Sequence, residues 1–245
     1  MDYNLDFISR DDLKQHLIQT VERYSDSLES IDLAKFNSNL IDPIKMTFDS
    51  IVFGRTIEQT INDEILRQRD KTNNNIIGYF HQNIFQYFKN CEVPKTGFDI
   101  IFVKDNMSWL VELKNKHNTM NSSSQKSTYL KMVKTISDDP NCICALVEVI
   151  AKKSQNIEWH MKLENVSFTN ERLRRISIDK FYEIITGDKD SFIKLCKMIP
   201  YLLKEIIDEN VQFTAKEDTV IQELLESNNN LMEELYRITY SDIWK

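Results

Sequence analysis

The chain has 245 residues, 41% of them hydrophobic and 28% charged, with a formal net charge of -7. This composition lies away from the disordered class, and the length is enough to bury a core as one domain or two. No run of about 18 apolar residues is present that would span a membrane. The acidic start MDYNLDFISRDD lacks the apolar stretch of a signal peptide, so none is expected.

The four cysteines, Cys91, Cys142, Cys144 and Cys196, lack paired CxxC spacing. Cys142 and Cys144 fall in an apolar strand-like run, which favours reduced core thiols in a cytoplasmic protein. Charge is unevenly spread. Residues 71–134 carry nine Lys/Arg against four Asp/Glu, a balance of +5, while residues 1–70 and 201–245 each stand at -6. A basic middle in an acidic body is compatible with DNA approached from one side, and equally with a solvated mixture of charges.

Residues 8–38 show helical spacing through Leu13, Leu17, Val21, Tyr24, Leu28 and Ile31, with Ser9 placed to cap. Asp42-Pro43 opens a helix over 43–53, and 55–69 forms another. Lys71 to Asn75 reads as a loop, followed by an aromatic helix over 76–88. Pro94 to Gly97 ends that stretch. Phe98 to Val103 and Met107 to Lys114 read as two strands joined at Lys104-Asp105-Asn106. Helical character returns over 122–136. Asp138 to Asn141 breaks it, and Cys142 to Ala151 is an apolar run typical of a buried strand. Strands are expected at 157–163 and 175–178, helix over 179–207 around a break at 186–188, and a C-terminal helix over 216–238. Interleaved elements of both kinds give an α/β class with a mixed central sheet. One domain is expected, with a helical part over 1–70, a core over 71–200 and a helical part over 201–245.

Three charges interrupt the hairpin: Asp99, Glu112 and Lys114. Residues two apart on a strand share a face, so Glu112 and Lys114 project together, and a short hairpin can bring Asp99 beside Glu112. Two close carboxylates repel unless a cation sits between them. Hard oxygens on paired strands suit Mg²⁺, which uses one or two carboxylates, and a lysine beside it suits phosphodiester hydrolysis. The same pattern also occurs in ordinary hairpins with polar residues facing solvent.

Asp99…Glu112-Leu113-Lys114 resembles the catalytic signature of the PD-(D/E)XK nuclease superfamily. Asn115 to Ser124 resembles the segment typical of type II restriction endonucleases that cut GGNCC or GGWCC sites. Ile77 to Asn83 and Ile178 to Gly187 fit the same group, so the likeness spans roughly residues 50–205. Gly97-Phe98 stands where the superfamily motif has proline. The resemblance implies a restriction-endonuclease-like core, with a mixed sheet of about five strands flanked by helices and extra helices at both ends. It implies Asp99, Glu112 and the Leu113 carbonyl as Mg²⁺ ligands, and Lys114 as the residue that orients or activates water. It further implies a bacterial, cytoplasmic homodimer cutting double-stranded DNA at a near-palindrome, with no small-molecule cofactor.

Directly after Lys114, the residues Asn115, Lys116, His117, Asn118, Asn121, Ser122, Ser123, Gln125, Lys126 and Lys131 offer amides for base edges and cations or hydroxyls for phosphates. Gln82 and Glu58 are possible supporting residues, as is Glu64, but both glutamates read first as exposed helix charges outside the primary site. His81 reads as a satisfied core histidine. Arg172, Arg174 and Arg175 form a basic cluster suited either to phosphates or to a solvated face. Two other readings stay open: a structure-directed resolvase or repair nuclease of the same superfamily, and a non-catalytic DNA-binding module.

Overall fold

A computed structural model describes residues 2–117, 120–163, 166–210 and 216–241. Four helices come first: α1 (Arg10–Asp26), α2 (Leu33–Asn37), α3 (Pro43–Phe53) and α4 (Ile57–Asn83), the last followed by a 3-10 turn at Ile84–Tyr87. Then follow β1 (Cys91–Glu92), β2 (Ile100–Lys104), β3 (Met107–Lys116), α5 (Ser122–Asp138) and β4 (Cys142–Ile150). The strands β5 (Asn156–Glu158), β6 (Met161–Leu163), β7 (Val166–Phe168) and β8 (Leu173–Ser177) precede α6 (Ile178–Thr186), α7 (Ser191–Asn210), α8 (Val220–Ser227) and α9 (Leu231–Thr239).

The class is α/β with a mixed sheet, as expected, and among the described residues the main sheet has six strands. Their order is β1-β2-β3-β4-β8-β5, and β6 and β7 form a separate ribbon. β3, β4 and β8 run parallel, while β1, β2 and β5 pair antiparallel, so the sheet is mixed. β3 reaches β4 through α5, the crossover that a parallel pair requires.

Contacts group the chain into two compact units, residues 1–20 with 77–211 and residues 21–76 with 212–245. The helical stretch expected over 1–70 is therefore divided between them. In the first unit the sheet has two apolar faces. Ile100, Phe102, Val111, Ala145, Val147 and Ile176 pack with Phe181, Tyr182, Leu195 and Met198 of α6 and α7. On the other face, Cys142, Cys144, Leu146 and Leu173 pack with Tyr129, Met132 and Ile136 of α5 and with Trp159. Burial of each such aliphatic side chain contributes about 1.5–3 kcal/mol. The second unit gathers Ile31, Phe36, Ile61, Ile65, Val220, Leu224 and Leu235.

Several boundaries differ from expectation. The helix expected over 8–38 stops at Asp26. There the Arg69 guanidinium donates to the Ser27 and Glu29 carbonyls, and Asp218 accepts from the Ile31 amide at 2.9 Å. The loop expected at 71–75 is helical within α4. Ile61, Ile65, Gln68, Ile76 and Phe80 are all buried at helical spacing, so the asparagines, two of them half-buried, continue a helix that is buried on either side of them. The C-terminal helix is two helices: the chain breaks at Asn228, and Asn230 caps α9 by accepting from the Glu233 amide. The strand expected at 157–163 is interrupted at Trp159-His160. Its indole is buried and packs edge-on against Tyr129, with ring centroids 5.0 Å apart.

Candidate active site

The hairpin turn sets the register. Asp105 and Asn106 have φ of 51° and 59°, the left-handed pair of a type I′ turn whose twist matches that of the strands it joins. Ile100 then faces Val111 across the ladder, and both point into the core shared with α6 and α7. One step along, Asp99 and Glu112 must lie side by side on the opposite face. Lys114 joins them two residues later.

All three side chains converge. The Lys114 Nζ lies 3.8 Å from Asp99 Oδ2 and 3.5 Å from Glu112 Oε2. The Asp99 amide donates to the Val111 carbonyl at 2.9 Å, and Asp99 Oδ2 accepts from the Leu113 amide at 2.7 Å. Burial pushes the Asp99 carboxyl above its ordinary pKa. The Leu113 N–H opposes this shift, and the charge of Glu112 adds to it. Gln82, at the end of α4, donates to the Asp99 carbonyl at 3.4 Å and so borders the cluster. Glu58 and Glu64 lie in the other unit. Glu58 is in the first turn of α4, and Glu64 pairs with Arg67.

Lys131, from the middle of α5, also enters. Its Nζ pairs with Glu112 Oε1, donates to the Gly97 carbonyl at 2.8 Å and lies 4.1 Å from the Phe98 ring centroid. In sequence this lysine falls among the residues expected to face DNA. A lysine nine residues into a helix carries no local mark of its contact with a strand.

The polar segment after Lys114 divides. Asn115 and Lys116 end β3. Asn118 lies outside the described residues. Asn121 caps α5, accepting from the Ser124 amide at 2.8 Å. Ser122, Ser123 and Lys126 are exposed on the first turns of α5, with Gln125 half-buried between them. His117 turns inward, with Nδ1 3.0 Å from a Glu148 oxygen and 2.8 Å from Arg175 Nη2. Glu148 is only 1% exposed and also pairs with Arg175. It stands opposite Lys114 on the neighbouring strand, which places this buried pair beside the site. The sequence signal for Glu148 is its place as a lone charge within the apolar run Cys142 to Ala151.

The arginine cluster is committed within the protein. Arg172 donates to the carbonyls of Ile136, Asp139, Pro140 and Cys142, satisfying the C-terminal end of α5. Arg174 donates to Asn156, and Arg175 to Glu148. His81 sits on α4, and its pKa is lowered to about 4, chiefly by burial.

The family model of the Eco47II restriction endonuclease matches residues 5–208. This chain belongs to that family. It is similar to the type II restriction enzyme Sau96I of Staphylococcus aureus, with 31% identity over 96% of this chain and 95% of that protein. It is also similar to the type II restriction enzyme Eco47II of Escherichia coli, with 26% identity over 84% of this chain and 90% of its counterpart. The family makes the chain a type II restriction endonuclease, a hydrolase that cleaves DNA. Among the described residues, no helix is long and apolar enough to cross a membrane.

Proposed function

We propose that this restriction endonuclease hydrolyses phosphodiester bonds at a short near-palindromic GGNCC or GGWCC-like site, using Asp99, Glu112 and Lys114 with Mg²⁺. One observation carries the residue assignment: two carboxylates and one ammonium meet within 3.8 Å on a strand pair beside a polar, partly basic segment. The donor set fits Mg²⁺. Asp99 and Glu112 offer two hard carboxylates around one ammonium, and Mg²⁺ uses one or two carboxylates while keeping several waters. Burial chiefly, and the charge of Glu112 in addition, raise the Asp99 carboxyl above its ordinary pKa, and a nearby cation acts in the opposite sense.

In this reading Asp99, Glu112 and the Leu113 carbonyl hold the ion, which when bound supplies Lewis-acid charge against the transition state. The Leu113 amide fixes the Asp99 carboxylate, so the ligand is oriented before substrate arrives. Lys114 presents a donor between the two carboxylates, where it orients the attacking water and offsets charge on a phosphoryl oxygen. Asn115, Lys116 and the exposed start of α5 face DNA, and a two-fold site is read by a homodimer in the bacterial cytoplasm.

Digestion of a sequenced plasmid with Mg²⁺, with the ends mapped, tests this. Discrete ends at one short two-fold motif are expected. Cleavage directed by branched structure rather than by sequence would favour the resolvase alternative. Sedimentation at working concentration tests the dimer.

A further inference from the structure

Glu112 has a different ammonium on each of its oxygens. Lys114 stands 3.5 Å from Oε2, and Lys131 pairs with Oε1. The two lysines are held differently. Lys114 lies between two carboxylates on the same strand pair. Lys131 has Glu112 as its carboxylate partner, is 41% exposed, and rests otherwise on neutral groups, the Gly97 carbonyl and the Phe98 ring. A long flexible side chain with one anionic partner and a neutral resting place can leave that anion while staying close by.

We propose that Lys131 is a positioning residue that occupies Glu112 Oε1 as a stand-in cation and must be displaced when a divalent metal takes that oxygen. The proposal rests on the reading of Asp99 and Glu112 as metal ligands. In the metal-free protein, the Lys131 ammonium offsets the charge of Glu112 and so reduces its repulsion of Asp99, keeping both carboxylates in place. Once a metal arrives, the same ammonium competes, because two cations on one carboxylate repel each other. The Gly97 carbonyl and Phe98 ring then hold the displaced ammonium beside the site.

Calorimetric titration of Ca²⁺ into the DNA-free full chain tests this without any turnover. Lys131→Met should bind Ca²⁺ tighter than the parent by on the order of tenfold, as removal of a competing charge in partial solvent implies. Lys131→Arg should stay near the parent, because a guanidinium still pairs with Glu112. Glu112→Gln should lose the binding. Unchanged or weaker Ca²⁺ affinity in Lys131→Met, with circular dichroism and unfolding midpoint intact, overturns the proposal alone, as does equal tightening in Lys131→Arg. Undiminished binding by Glu112→Gln, or no binding by parent and Lys131→Met alike, overturns the ligand reading and this proposal with it. Should the Met variant fold poorly, Lys131→Gln removes the same charge and is held to the same outcomes.

Discussion

The Leu113 amide donates to Asp99 Oδ2 at 2.7 Å, which ties the aspartate to the strand that carries Glu112 and Lys114. The backbone that positions one half of the site thus orients the other half. Substitution by Asn keeps an acceptor oxygen and nearly the same volume while removing the charge. Asp99→Asn should therefore lower plasmid cleavage by on the order of 10²–10³-fold, the scale of losing a pre-organised electrostatic group. Its unfolding midpoint should stay close to that of the parent. Near-parental cleavage rates in this variant would remove Asp99 from the site.

Lys114 lies between both carboxylates, so its loss should be felt in the chemical step more than in DNA affinity. For Lys114→Met, single-turnover cleavage should fall by about 10²-fold or more, with gel-shift affinity in Ca²⁺ within a few-fold of the parent. An equal fall in affinity and rate would reassign Lys114 to binding.

Glu148 is 1% exposed and carries both Arg175 and the His117 ring. Glu148→Ala strands a cation beside the sheet, a change that costs about 3–5 kcal/mol when a buried pair is broken. Urea unfolding measures this directly. A loss below about 1 kcal/mol would mean that Arg175 finds water instead.

His81 has its pKa lowered to about 4 from 6.5 by burial and, secondarily, by His16. A base with a depressed folded pKa contributes stability that is present in full above 6.5 and is lost as pH falls towards 4. Across that window the slope approaches about 1.4 kcal/mol per pH unit. His81→Gln should flatten the stability profile between pH 6.5 and 4, as measured by urea midpoints. An unchanged slope would place the titration elsewhere.

The Asp105-Asn106 turn holds the register that puts Asp99 beside Glu112. With φ of 59° at Asn106, a β-branched residue there is strained. Asn106→Val should cost about 1–2 kcal/mol, whereas Asn106→Gly should cost nothing measurable. Thermal unfolding of both variants separates turn strain from a general effect of substitution.

Much of this protein is determined locally. Strand alternation alone places Glu112 and Lys114 on one face, and the polar turn at 104–106 brings Asp99 alongside, because a two-residue loop leaves the hairpin little choice of register. The α/β class and the apolar strand at 142–150 are legible in the same way. Other features depend on partners distant in sequence. The asparagine run at 73–75 is helical because Ile76 and Phe80 are buried further along α4. The first helix ends early because Arg69 and Asp218 satisfy the backbone beyond it. Three arginines that read as a basic patch are spent on internal carbonyls and on Glu148. Lys131 reaches Glu112 only because the crossover through α5 lays that helix over the strand. Periodicity sets the direction in which a side chain points, but what it meets there is decided by chain topology.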